Sequence, residues 1–307
     1  MSDAIGFWGV PLALLAGAIR VSTPFIFVSV GESLTERSGR INLGLEGILV
    51  FGAMSGYAVA YLAQSAWLGV LAAALAGLVF GLFHGFVCAL PKVNDIAIGI
   101  ALMLFGTGLA FFFGKPFIQP VAPHLPAISL GFWAKSPEVR AALEINVLFI
   151  LGIVLALFSG WMLKNTRIGL TIRVVGDSAD AARALGIRVD RVRLWATAAG
   201  GAMAGIGGAY LSLYYPGSWN ENISSGQGLM AVALVIFARW NPVHCVYASL
   251  LFGAAGALGP ALQSIGISKG YYLFYAAPYV LTLGLLIANS SKSRALEDAP
   301  GELSITK

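Results

Sequence analysis

The chain has 307 residues, of which 58% are hydrophobic and 11% charged, with a mean hydropathy of +0.82; a soluble domain averages about 25% charged residues, so the soluble globular class is excluded. Its net charge of +5 and pI near 9.3 would suit nucleic acid, but the basic residues lie beside apolar runs and mark membrane topology instead. Cys88 and Cys245 each sit in an apolar run, which excludes a disulfide framework or a cysteine metal site.

The amino terminus, MSDAIGFWGV, lacks the basic n-region of a cleaved signal peptide. Residues 6–19 are expected to form an outer elbow or partial span, leading into a helix that starts near Arg20. A charge at mid-bilayer costs at least ~2.5 kcal/mol, so Arg20 marks an interface or, alternatively, lines a solute path. The stretch TERSGRINLGLEG is polar and then glycine-interrupted at Gly44 and Gly47. Such a segment exposes Asn42 and Glu46 to a cavity. Glu46 could equally be a helix-entry carboxylate held by the helix dipole.

Residues 66–90 form a span with Gly77, Gly81 and Gly85 on one face, a close-packing stripe; His84 beside it is packed in the bundle. After the turn 91–95 comes the span 96–114, and then a loop, 115–144, that Pro116, Pro120, Pro123, Pro126 and Pro137 keep from being helical. The span 145–163 leads into KNTRIGLTIRVVGDSADAARALGIRVDRVR, residues 164–193, the longest polar interruption. Its basic excess places it in the cytoplasm. Counting back puts 115–144 outside and 91–95 inside.

Within that interruption Asp177 or Ser178 caps a short helix that Gly186 stops. A helix of about two turns is marginal in water and needs a docking surface. Anionic lipid would attract Arg183, Arg188 and Arg191. A protein groove fits the helix better, because its face is alanine-rich and lacks a Trp, Phe or Leu wedge.

Residues 194–214 are a glycine-packed span, and 214–228 its outer turn. Residues 229–238 are too few to cross ~30 Å of hydrocarbon at ~1.5 Å per residue. They either extend backward or form half of a broken helix. Spans 243–262 and 271–288 follow, then a polar tail, 291–307, expected to be cytosolic and disordered. The fold class is therefore all-α: a polytopic transmembrane bundle of about eight or nine spans with broken helices. Residues 1–290 make one membrane domain, with the carboxyl terminus cytoplasmic.

His84, His124 and His244 lie in separate regions without partners at catalytic or metal spacing, so no enzyme and no metal site is expected. A secondary transporter would need ionisable groups inside the spans, and beyond Glu46 and Arg20 these are scarce.

Four blocks, TERSGRINLGLEGILVFGAM, VNDIAIGIALMLFGTGLAF, IRVVGDSADAARALGI and ALVIFARWNPVHCVYASLLFG, resemble the permease subunits of bacterial ABC importers in the simple-sugar and nucleoside branch, in order and spacing over about residues 10–290. The resemblance is to the shorter member of a permease pair. It implies a coupling helix at Asp177–Leu185, with Gly176, Asp177, Asp180, Ala181, Ala182, Arg183, Leu185 and Gly186 seated in an ATPase subunit. It also implies that the segment containing Asn42 and Glu46 enters a membrane cavity, approached by Asn94. The implied partners are a second permease, one or two ABC ATPase subunits that carry ATP and magnesium, and an external substrate-binding protein, in a bacterial inner membrane. No cofactor is implied in this chain, which lacks a G-x-x-x-x-G-K-[ST] phosphate loop. Nucleosides are the expected solute, with riboflavin-like and simple-sugar compounds as alternatives. Phe237, Ala238 and Arg239 replace a more glycine-rich turn, and Met103 a frequent asparagine.

Overall fold

The computed structural model describes residues 9–133, 139, 140, 143–264, 274, 276–278, 280, 281, 283, 284 and 299–304. Helix α1 (Gly9–Arg37) runs unbroken through Arg20 and Pro24, so the expected elbow and restart are one helix. Proline removes one backbone donor, which a membrane helix tolerates when nearby hydroxyls and packing compensate. Ser22 and Thr23 donate to the Ile19 carbonyl, at 3.1 and 2.8 Å, one position before the Arg20 carbonyl that an amide at residue 24 would otherwise face. The Arg20 guanidinium lies 3.7 Å from Glu144, and both side chains are partly exposed.

Helices α2 (Leu45–Ala63), α3 (Ala66–Val87) and α4 (Asp95–Gly114) follow. The proline-rich segment opens as a 3-10 turn, Lys115–Phe117, and then becomes extended. Strand β1 (Ala127–Ser129) pairs antiparallel with β2 (Glu144–Asn146), a small ladder that the all-helical expectation did not include. Asn146 ends the ladder and starts α5 (Val147–Asn165): its Oδ1 accepts from Leu148 N at 2.8 Å and its Nδ2 donates to Pro126 O at 3.0 Å.

The polar interruption is mostly helical, as α6 (Arg167–Asp177) and α7 (Ala179–Ala184). Then come α8 (Val189–Leu213), α9 (Gln227–Phe237) and α10 (Pro242–Ser264). A last turn, α11 (Gly301–Ser304), packs against α6, so the expected disordered tail is ordered where it is described. Most of the expected span 271–288, and residues 291–298, lie outside the described residues.

Six helices among the described residues are long and apolar enough to cross a membrane, at 19–27 residues each. The chain is thus a polytopic helical membrane protein. α8 is the hub, packed on α1, α2 and α3. Gly77 and Gly81 of α3 make the closest approach possible: a methyl on either would overlap the carbonyl oxygen of Gly201 or of Thr197 in α8. The opposite face of α3 presents Leu71, Leu75, Val79 and Phe83, each more than half exposed, which in water would be an aggregating surface and in lipid is a solvated one. The two stripes show why a four-residue glycine period reads as a helix with one protein face and one lipid face.

Candidate functional site

Two regions gather the polar residues singled out by the sequence. The first is the surface formed by α6, α7 and the start of α8. Thr166 caps α6 by accepting from Gly169 N at 3.1 Å, and Ser178 caps α7 by accepting from Ala181 N at 3.2 Å. Of the two expected caps, Ser178 is therefore the one used. Gly176 lies inside α6, where a methyl would overlap the carbonyl of Arg37, so this glycine seats α6 on the end of α1. Gly186 takes φ +77, the left-handed turn that ends the helix.

Ala179 and Ala182 turn inward onto Val175 and Val189, while Asp177, Asp180, Ala181, Arg183, Leu185 and Gly186 are exposed. Arg183 and Asp180 pair at 2.9 Å on this open surface. The face is not purely alanine: Leu185 is 72% exposed and Ile168 65%. The expected absence of a leucine on this surface is therefore corrected.

The second region surrounds α9, whose 11 residues rise about 16 Å, half of the hydrocarbon thickness. Of the two expected readings, the half-helix is the one observed. Its first turn leaves backbone donors without partners in a place where water is scarce. Glu46, in the first turn of α2, supplies the acceptors: Oε1 accepts from Gly226 N at 3.0 Å and from the Ser224 hydroxyl, and Oε2 from Gly228 N at 2.6 Å. At the other end Arg37 Nε donates to Trp240 O at 3.0 Å and Nη2 to Arg239 O at 3.4 Å. A carboxylate at the amino end and a guanidinium at the carboxyl end match the helix dipole.

Three further contacts fix the neighbourhood. Trp240 Nε1 donates to Glu36. Asn42 is buried, its backbone N–H donating to Glu32 Oε1 at 2.7 Å while its Oδ1 accepts from Gly44 N at 2.9 Å. Arg40 forms an ion pair with Asp95, tying the segment before α2 to the start of α4. Glu32 Oε2, Glu36 Oε1 and Asn42 Nδ2 are buried without a hydrogen-bond partner, so the junction of α1 with the α1–α2 turn is polar beyond what the fold itself consumes.

The structure thus brings Asn42 and Glu46 to the α2 entrance, but on different duties: one tethers the turn and the other caps α9. Asn94 is exposed and caps α4, accepting from Ile96 N at 2.9 Å and Ala97 N at 3.1 Å. Gly47 does not break α2 but packs it against the Met103 backbone. His84 is buried in the bundle, as expected, and contacts Cys88 at 3.6 Å, a partner four residues away that the sequence reading passed over. Both cysteines are free and buried, and no group of three metal-ligating side chains occurs among the described residues. Sequence reasoning missed Glu32, Glu36, Arg37 and Trp240. The one available clue was a pair of carboxylates four residues apart at the end of an apolar helix, facing a turn with positive φ at Arg239 and Trp240.

Comparison with known proteins adds the following. Residues 14–288 match the family described as branched-chain amino acid transport system / permease component. The nucleoside ABC transporter permease protein NupC of Lactococcus lactis subsp. cremoris is 31% identical, over 89% of this chain and 90% of its own length. The guanosine ABC transporter permease protein NupQ of Bacillus subtilis is 29% identical, over 85% and 87%. A candidate glucose ABC transporter permease protein, TsgC13 of Haloferax volcanii, is 31% identical, over 83% and 79%.

Proposed function

Since the chain belongs to the permease-component family of branched-chain amino acid transport systems, with nucleoside and sugar ABC permeases among its relatives, we propose that this permease subunit carries a nucleoside. The observation that supports this most directly is the 31% identity to NupC over 89% of this chain and 90% of that protein's length. A simple sugar is the second reading, favoured by TsgC13 at the same identity. A neutral polar solute suits the interior: its buried polar groups are mostly hydroxyls and amides, with Glu32 and Glu36 on α1, His84, and the arginines Arg40 and Arg193 already paired with Asp95 and Glu302, while Glu46 is committed to α9.

In this reading the full bundle has eight or nine spans within residues 1–290, the tail 291–307 and the segment 164–193 lie in the cytoplasm of a bacterial inner membrane, and 115–144 lies outside. The exposed residues Asp177, Asp180, Ala181, Arg183, Leu185 and Gly186, rooted by Gly176 and Ala182, enter a cleft of an ABC ATPase subunit that holds ATP and magnesium. A second permease completes the pore and an external binding protein delivers the solute. Asn42, Glu46 and Asn94 border the path, the first two by holding the α2 entrance in shape.

The test is reconstitution of this chain with its ATPase and second permease, followed by uptake of labelled uridine and glucose. Uridine uptake that needs ATP supports the reading; glucose uptake alone selects the sugar reading, and uptake by the isolated chain under an ion gradient defeats both. Ala181→Trp, on the exposed face of α7, is expected to lower uptake at least tenfold while the bundle stays folded.

A further inference from the structure

The carboxyl-terminal turn is bound to the one surface of the molecule that has a mechanical role in the proposed function. Glu302 Oε1 accepts from Ala179 N, the first amide of α7, at 2.8 Å. Glu302 Oε2 accepts from Arg193 Nη2 at 3.0 Å, and Arg193 Nε donates to Ser38 O at 3.1 Å. One carboxylate thereby joins α7 to α8 and, through a single guanidinium, to the end of α1. Both side chains are largely sheltered, Arg193 at 10% and Glu302 at 25% exposure, so the pair is not an ordinary surface ion pair.

The surroundings are shaped for this contact. Gly301 lies where a methyl would overlap the Asp177 carbonyl, and a methyl on Gly39 would come within 2.9 Å of Glu302 Cβ. Ala299 and Leu303 pack onto the main core, and Pro300 is buried. Without the turn, α7 would keep only Ser178 as a cap and the small cluster of Val175, Ala179, Ala182 and Val189 as an anchor. A six-residue helix with so little to hold it is marginal by itself.

We propose that residues 299–304 form a latch on α7, and that Glu302 is a positioning residue which makes displacement of α7 reach α1 and α8. The latch rests on the reading of α7 as the element that an ATPase moves. It assigns a function to a terminal segment that composition alone marks as a solvated tail.

The experiment uses the full chain assembled with its partner subunits in nanodiscs, in wild type, Glu302→Ala and Glu302→Gln. Hydrogen exchange over residues 178–185 is measured together with ATP hydrolysis and labelled-uridine uptake. Loss of a charge-assisted hydrogen bond to Ala179 N is expected to speed exchange at that amide about tenfold in Glu302→Ala. Subunit assembly and ATP hydrolysis persist, while uptake per ATP falls about fivefold. Glu302→Gln, whose amide oxygen still accepts from Ala179 but whose charge toward Arg193 is gone, falls between the two. Unchanged exchange in Glu302→Ala overturns the latch, and faster exchange with unchanged uptake per ATP overturns its positioning role. A wild-type assembly without ATP-dependent uptake instead overturns the coupling reading, and the exchange difference tells the two failures apart.

Discussion

Glu46 accepts from Ser224, Gly226 and Gly228, donors 178 to 182 positions away, all at the start of a helix that cannot cap itself. Glu46→Ala leaves those amides unpaired in a poorly hydrated place and is expected to destabilise the fold by about 2–3 kcal/mol. Glu46→Gln, which still offers an oxygen, is expected to lose about half of that. Thermal unfolding of the purified chain in detergent should show the two as a graded drop in midpoint of several degrees. The importance of Glu46 was legible in the sequence as a carboxylate at a glycine-flanked helix entry, but its partner was not, because no local pattern connects residue 46 with residue 226. The same holds for Trp240 and Glu36. Ala182 shows the converse: composition groups it with Ala181, yet it is fully buried, so Ala182→Trp is a folding defect and only Ala181→Trp probes docking.

At the scale of elements, α3 and α8 meet backbone to backbone through Gly77, Gly81 and Gly201. Gly81→Leu has no room and is expected to abolish the folded, monodisperse species, whereas Leu75→Ala on the outward face should change stability by less than about 0.5 kcal/mol. Fluorescence-detected size exclusion distinguishes the two outcomes. This packing was legible because a four-residue glycine period has one structural meaning in an apolar helix. So was the half-helix α9, from length against bilayer thickness. The start of α1 was misread because Arg20 and Pro24 together resemble a break. One helix nevertheless runs through both, with Arg20 lying 3.7 Å from Glu144. Within the polar segment 164–193, α7 was legible from its Ser178 cap and the Gly186 stop, whereas α6 was not, since charge says nothing of the backbone.

For the whole molecule, the turn of α7 and the segment after β1 lie in the chain on either side of α5, the only long apolar helix between them among the described residues. Ala184→Cys and Phe132→Cys are therefore expected to react with a membrane-impermeant maleimide from opposite sides of a sealed vesicle. Background from Cys88 and Cys245 is low because both are buried. Labelling of both positions from one side would overturn the proposed topology. The multi-pass helical architecture was the most legible property at this scale, because long apolar runs alternate with polar turns. The terminal turn was not, since Glu302 lies in a stretch whose composition is that of a free tail and only its fit between Gly39 and Asp177 gives it a place.

The shortness of α9 also governs biogenesis. Eleven residues are too few for the translocon to release sideways as an independent transmembrane segment, so this piece must enter from the aqueous side after its neighbours are already in the bilayer. Its receptor is the amino-terminal part of the chain, synthesised far earlier, which keeps Glu46 and Arg37 waiting at the two ends of an empty slot. Nascent chains released before residue 226 would carry that slot unfilled, and quality-control proteases would find them by it.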